Sequence, residues 1–108
     1  MSRIRLALAG LLALTATCAL AEPAVYEVSQ HGKAFHPDTL TIAPGDRVVL
    51  HNDDKRVHNI RVFHPKLDFN SGKQEPGEPV TITFDEPGTY YVTCGIHTQM
   101  ELKVAVTP

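Results

Sequence analysis

Several residue types and patterns are scarce in this 108-residue chain, which has no tryptophan, two cysteines and two methionines. It contains no internal repeat and no low-complexity tract, which excludes a repeat array. No apolar pattern has the period of a long amphipathic helix, which argues against a helical protein. The length leaves room for one domain and excludes a second.

The N-terminal segment predicts export. Arg3 and Arg5 lie at the start of an apolar run, Ile4 to Leu20, which ends in small residues. This is the pattern of a secretory signal peptide, and the run is shorter than the ~20 residues of a transmembrane helix. We therefore predict a cleaved signal peptide over residues 1–21, a mature domain over residues 22–108, and a periplasmic protein without stable membrane insertion. An uncleaved membrane anchor is the weaker alternative.

Charge and cysteine content narrow the function of the mature domain. It carries 8 Lys and Arg against 12 Asp and Glu, a formal net charge of −4, so we exclude nucleic acid as a partner. Cys18 falls within the leader, and its lipid modification is a minor alternative because Thr17 precedes it. Cys94 is then the single cysteine of an exported protein, where cysteines usually pair as disulfides. A bound metal would explain such a lone thiol.

Short alternating segments separated by turn residues predict an all-β domain. Turn signals such as Pro44-Gly45-Asp46 recur every 8 to 12 residues, and the segment 64–79, rich in Pro, Gly and charge, is interpreted as a surface crossover. The expected fold is a Greek-key β-sandwich or barrel of about seven or eight strands. The predicted strands cover residues 25–28, 40–42, 47–52, 57–63, 80–84, 89–93 and 102–106.

Three soft donors lie close together near the C-terminus. Cys94, His97 and Met100 supply a thiolate, an imidazole and a thioether within seven residues between two predicted strands. Thiolate and thioether favour copper over hard cations, and two histidines, one cysteine and a weak axial methionine form a blue-copper site. The segment therefore predicts a copper site that needs one more histidine.

His58 is the best candidate for that histidine, because it alternates with the apolar residues Ile60 and Val62 on one face of a predicted strand. The other histidines lie in or beside turns or strand ends, and a second, weak copper site on them remains an open alternative. They are His31, His36, His51 and His64.

At this point the chain resembles the cupredoxins, the plastocyanin, azurin and amicyanin family. The resemblance rests on Val57-His58-Asn59-Ile60 and Cys94-x-x-His97-x-x-Met100, covers essentially all of the mature domain, and is most similar to amicyanin in the spacing from His97 to Met100. It implies that His58, Cys94, His97 and Met100 bind one copper ion that cycles between Cu(I) and Cu(II). It also implies that the Asn59 side chain braces the cysteine-containing loop.

The chain departs from the family pattern before both ligand histidines, where many members have proline. Val57 and Ile96 each restore a backbone N–H that proline lacks. We expect a new donor near the thiolate sulfur, which stabilises Cu(I) and raises the reduction potential. The loop is also less constrained without proline, so a green type 1 site stays open beside a blue one.

Other chemistries fit the same residues less well. Two histidines and a cysteine can hold zinc, but the thioether argues against zinc, and no carboxylate base is recognised nearby. A Cys–His nucleophile would need a substrate cleft and an oxyanion arrangement, of which the sequence gives no sign. Cys94, His58 and Met100 could each be a core residue, but their combined spacing favours ligation.

The leading interpretation is a monomeric, non-enzymatic electron carrier that serves a cytochrome, a dehydrogenase or an oxidase. The alternative is a copper-tolerance protein that sequesters or oxidises Cu(I). Because Met100 is the single methionine of the mature chain and no Met- or His-rich tract is present, the sequence favours the carrier. Lys55, Arg56 and Arg61 cluster near His58, either as a docking patch beside the copper or as a solvated turn.

Overall fold

The computed structural model describes residues 22–108, so the signal peptide predicted over residues 1–21 lies outside them. Within the described range no helix is long and apolar enough to cross a membrane. The same range forms nine β-strands: β1 (Val25–His31), β2 (Ala34–His36), β3 (Thr39–Ile42), β4 (Asp46–Asn52), β5 (Ile60–His64), β6 (Leu67–Asn70), β7 (Pro79–Phe84), β8 (Gly88–Cys94) and β9 (Glu101–Val106).

The strands form two sheets that pack into a sandwich. One sheet has the order β2-β1-β4-β7 and the other has the order β3-β9-β8-β5-β6. Most neighbouring strands are antiparallel, but β1 with β4 and β3 with β9 are parallel. The predicted all-β sandwich is therefore confirmed, with nine strands rather than seven or eight.

The two strands missing from the prediction, β2 and β6, are short strands at sheet edges. β2 follows a tight turn in which Gly32 and Lys33 have φ angles of 63° and 61°, and it pairs with β1 over three residues. β6 lies in the segment interpreted as a crossover, and its side chains are at most half-buried. β2 is three residues long and fully buries only Phe35, and β6 fully buries none, so neither offers the repeated alternation that identifies a longer strand.

The core lies between the two sheets. It consists of the side chains at every second position of the strands, which point inward. In β8 the buried residues are Tyr90, Val92 and Cys94, and in β5 they are Ile60 and Val62. Burying each aliphatic side chain stabilises the fold by roughly 1.5–3 kcal/mol, so the register of β8 is firmly set. The same alternation turns the Cys94 side chain inward at the last position of its strand.

Candidate metal centre

Three of the predicted ligands converge at one end of the sandwich. The Cys94 Sγ atom lies 3.5 Å from His58 Nδ1 and 3.8 Å from His97 Nδ1. All three donor atoms lie within 4.8 Å of one another. His58 and Cys94 are buried, while His97 is partly exposed. The structure therefore brings a thiol and two imidazoles to one point, as the sequence predicts.

Cys94 is held by the register of β8 and by two backbone donors. It pairs with Ile60 of the neighbouring strand β5. Its Sγ accepts hydrogen bonds from the backbone N–H groups of Asn59 and His97, both at 3.4 Å. The expectation that the N–H group of Val57 or Ile96 approaches the sulfur is wrong, because the backbone donors to Cys94 Sγ in the described chain are Asn59 and His97.

His58 lies outside the strand that the sequence places it in. β5 begins at Ile60, and His58 instead forms an isolated antiparallel bridge with Gln74. The His58 N–H donates to the Gln74 carbonyl at 3.0 Å, and the Gln74 N–H donates to the His58 carbonyl at 2.8 Å. The backbone remains extended through the bridge, so the predicted inward direction of the His58 side chain is nevertheless correct.

A carboxylate fixes the orientation of the His58 ring. Asp54 Oδ2 lies 2.7 Å from His58 Nε2. An ionised carboxylate only accepts hydrogen bonds, so Nε2 carries the proton and the Nδ1 lone pair is left facing Cys94. Partial burial raises the pKa of Asp54, but hydrogen bonds from His58, Gly32 and Lys33 outweigh this effect and lower it overall. Asp54 therefore remains a carboxylate at neutral pH.

Sequence analysis does not single out Asp54, although a carboxylate four residues before a ligand histidine is a usable signal. Carboxylates commonly hold the far nitrogen of a metal-binding histidine. Because Asp54 binds the ring nitrogen that points away from the donor cluster, it is badly placed to act as the general base of a catalytic zinc site.

His97 lies on the loop that joins β8 to β9, and its ring packs edge-on against His58 with centroids 5.1 Å apart. Partial burial, together with the neighbouring His58, Lys33 and Arg56, lowers the pKa of His97. The lowered pKa favours the neutral imidazole, which is the form that binds metals. The adjacent Ile96 is 55% exposed, so the loop presents an apolar side chain to solvent.

Met100 closes the same loop. Its backbone N–H donates to the His97 carbonyl at 3.1 Å, and its side chain is 1% exposed. The turn between these two residues brings Met100 into the core directly before β9. Its role as an axial ligand remains a prediction.

The Asn59 side chain lies against the loop. Its Nδ2 donates to Asn70 Oδ1 at 2.9 Å and to the Gly72 carbonyl at 2.8 Å. Its backbone carbonyl accepts the Gly95 N–H at 2.8 Å. A Cβ atom added to Gly95 would lie 2.3 Å from Asn59 Oδ1, so this position admits only glycine while Asn59 stays in place. Sequence analysis does not single out Gly95.

Of the four remaining histidines, His31 and His36 lie side by side with ring centroids 5.8 Å apart, and His51 and His64 have separate surroundings. His36 contacts the His31 carbonyl, His51 contacts the Glu27 carboxylate, and His64 packs on the Tyr90 ring. Within residues 22–108, His58, Cys94 and His97 form the one group of at least three His, Cys, Asp or Glu donors that could share an ion. The structure therefore provides no three-donor cluster for a second copper site in this range.

The donor set fits copper. Donor separations of 3.5 and 3.8 Å suit atoms that share one ion at metal–ligand bond lengths of about 2.0–2.3 Å. Thiolate with imidazole is a soft donor set that suits Cu(I) and Cu(II), and the cluster contains no carboxylate that would favour a hard cation. When bound, copper supplies one-electron redox chemistry.

Comparison with known sequences agrees with this geometry. The family model described as a cupredoxin-like domain matches residues 4–106. A protein described as a pseudoazurin from Rhizobium leguminosarum bv. viciae is 35% identical over 77 residues, which cover 67% of this chain and 48% of that protein. The chain thus spans about half the length of this curated relative.

Solved structures with similar folds include copper proteins. A Cu-containing nitrite reductase from Thermus scotoductus SA-01 has a TM-score of 0.72 and 29% identity, covering 87% of this chain and 25% of that one. The reduced Cu(I) form of an amicyanin variant has a TM-score of 0.71 and 25% identity. The match covers 82% of this chain and 86% of the amicyanin chain. A purple cupredoxin from Nitrosopumilus maritimus, with a TM-score of 0.67, 24% identity and coverage of 76% and 99%, supports the fold.

Proposed function

Because this chain belongs to the cupredoxin-like family, we propose that it is an exported electron carrier built around one copper ion. The family and the His–Cys–His cluster together indicate copper binding. The proposed ligands are His58, Cys94 and His97, with Met100 as a weak axial ligand. The observation that carries the proposal is the convergence of one thiol and two imidazoles within 4.8 Å. The resemblance inferred from the sequence is confirmed at the level of the family.

The burial of the donors supports electron transfer rather than catalysis on a bound substrate. His58 and Cys94 are 0% and 1% exposed, so a substrate could approach the metal only past the edge of His97. The nitrite reductase is similar to this chain over 25% of its own length, and its activity is therefore not transferred to this chain. The proposed protein passes single electrons between partners and transforms no substrate.

The protein's own residues hold the site in one arrangement for both oxidation states. Asp54 sets the tautomer of His58, two backbone N–H groups bind the Cys94 sulfur, and the loop turn carries His97. Fixed donors reduce the rearrangement that accompanies each electron transfer, because the interior is close-packed and resists deformation. A carrier benefits from this rigidity.

The surface around His97 supports docking of a redox partner. Ile96 supplies an exposed apolar contact, and Lys33 and Arg56 lie close enough to lower the His97 pKa. Arg61 belongs less clearly to this surface, because its guanidinium stacks 4.3 Å from the Phe63 ring. Cations in a domain of net charge −4 would steer an acidic partner, such as a periplasmic cytochrome, dehydrogenase or oxidase, to the copper end. The carrier is proposed to act as a monomer.

The copper-tolerance alternative receives less support. Storing additional copper would need more soft or imidazole donors in groups, whereas the described residues offer one three-donor cluster. A protein that exchanges its metal would also benefit from accessible ligands, and two of the three are buried.

The copper assignment is tested by absorption spectroscopy of residues 22–108 loaded with Cu(II). We expect an intense visible band from thiolate-to-copper charge transfer, which Cys94→Ser abolishes. His51→Ala, which removes a histidine outside the cluster, is the matched control and should leave the band intact. Stoichiometric binding of colourless zinc without a Cu(II) band would refute the assignment.

The carrier assignment is tested by protein-film voltammetry. A carrier should give one reversible one-electron wave and retain its copper over many cycles. Release of copper on reduction, or its transfer to a Cu(I) chelator faster than electron exchange, would favour the tolerance function instead.

A further inference from the structure

Three uncharged amide side chains are buried directly behind His58. Gln30 is 0% exposed, and Asn52 and Gln74 are each 1% exposed. They come from β1, from the end of β4 and from the segment between β6 and β7. Burying an amide costs free energy unless hydrogen bonds replace those to water, so their partners should explain their presence.

Gln74 joins His58 to the sheet that contains β1 and β4. Its backbone forms the two hydrogen bonds that hold His58. Its Nε2 donates to the Leu50 carbonyl at 3.0 Å and to the Glu78 carbonyl at 2.7 Å. Its Oε1 accepts from Gln30 Nε2 at 2.8 Å. The segment whose backbone pairs with His58 is thus hydrogen-bonded to β1 and β4 through the Gln74 side chain.

Asn52 fixes the loop that carries Asp54. Its Oδ1 accepts the Asp54 N–H at 3.0 Å, while its Nδ2 donates to the Arg56 carbonyl at 2.7 Å and to the Gln74 carbonyl at 3.1 Å. Asn52 therefore connects the loop that holds the carboxylate to the segment that holds the histidine.

The two amides control opposite ends of one hydrogen bond. Gln74 sets the position of the His58 backbone, and Asn52 sets the position of the Asp54 backbone. The Asp54–His58 hydrogen bond at 2.7 Å in turn sets the ring orientation. A core of apolar residues could fill the same volume, but it would not fix these two backbones relative to each other.

We propose that Asn52 and Gln74 are positioning residues that aim the His58 Nδ1 at the Cys94 thiolate before copper binds, with Gln30 holding the Gln74 side chain in place. This rests on the proposed role of His58 as a ligand. The proposed positioning acts in the metal-free protein as well as in the copper-loaded one.

The first experiment uses metal-free protein and ring ¹⁵N NMR of His58. In the wild type we expect the tautomer with the proton on Nε2. Asn52→Ala and Gln74→Met should populate both ring tautomers. They should also increase the rate of hydrogen exchange at the His58 backbone N–H about tenfold or more. Tyr90→Phe is the control, because it loses the hydrogen bond from its hydroxyl to the Glu86 carbonyl at the other end of β8.

The second experiment uses copper-loaded protein. Removing groups that orient a metal ligand typically costs about 10–100-fold in metal affinity, and we expect that range for Asn52→Ala and Gln74→Met. Their EPR and visible spectra should shift as well. Tyr90→Phe should lower the melting temperature while leaving affinity and spectra unchanged, because a merely structural role does not move them.

The outcomes separate this proposal from the proposed function. If the variants are less stable but keep wild-type tautomer, spectra and affinity, the amides only fill the core and the proposal is overturned. If the wild type lacks the charge-transfer band, the copper function fails, while the tautomer result still decides positioning. Should Gln74→Met not fold, Gln30→Met keeps the Gln74 side chain but removes its hydrogen bond from Gln30, together with the weaker one from Gln30 to the His51 carbonyl, and should shift the tautomer in the same direction.

Discussion

Gly95 is the position where one methyl group tests the geometry of the ligand loop. Its backbone conformation is open to alanine, because its φ lies outside the left-handed region. A Cβ there would lie 2.3 Å from Asn59 Oδ1. Ordinary contacts begin near 3.5 Å, so Gly95→Ala must displace either Asn59 or the loop by about 1 Å.

The cost follows from what holds Asn59. If its side chain moves aside, it loses the hydrogen bonds to Asn70 and to the Gly72 carbonyl. Each is worth about 0.5–1.5 kcal/mol, so the free energy of unfolding should fall by about 1–3 kcal/mol. For a domain of this size the melting temperature should drop by about 5–20 °C. If the loop moves instead, the Asn59 N–H shifts relative to the Cys94 sulfur, and the copper absorption band should shift too.

A double-mutant cycle isolates the contact. Asn59→Ala removes the obstructing oxygen, so Gly95→Ala in that background should cost almost nothing: the next neighbour, Arg61 Cγ, lies at 3.4 Å. Thermal unfolding of the four metal-free proteins should give a coupling energy of about 1 kcal/mol or more. Gly77→Ala is the control, because Gly77 has φ 85° and nothing near its Cβ, so its cost should not depend on Asn59. Additive effects of Gly95→Ala and Asn59→Ala would refute the reasoning.

Three further variants probe the copper and its partner. Met100→Gln should keep copper and lower the reduction potential; complete loss of copper would contradict a weak axial role, and an unchanged spectrum and potential would contradict ligation. Asp54→Asn should weaken Cu(II) affinity about tenfold and raise the potential measured by voltammetry, because a neutral amide makes His58 a poorer donor; an unchanged potential would contradict this. Lys55→Glu with Arg56→Glu should slow electron transfer to the partner at low salt, and the difference should fade as the Debye length falls to about 8 Å at physiological salt. An equal, salt-independent rate in stopped-flow measurements would show that the cations belong to a solvated turn.

Local patterns in the sequence determined the fold class and most of the cluster. The alternation of Tyr90, Val92 and Cys94 has a period of two, which a strand converts directly into one inward face. An equivalent alternation of His58, Ile60 and Val62 predicted that the His58 side chain points inward. Cys94 and His97 are separated by only two residues, so a single turn suffices to bring them together. Such information is local and therefore readable without the tertiary structure.

Tertiary structure decided the features that depend on residues distant along the chain. One of the two backbone donors to the Cys94 sulfur is Asn59, 35 positions away, so residue types beside the cysteine could not identify it. His58 is held by Gln74 rather than by strand β5, and the space that forbids a side chain at Gly95 is set by Asn59. The edge strands β2 and β6 likewise depend on pairing with a neighbouring strand, because these short segments fully bury at most one side chain each. Sequence periodicity records burial, whereas these contacts arise from how the loops of two sheets meet, which is settled only when the whole chain is packed.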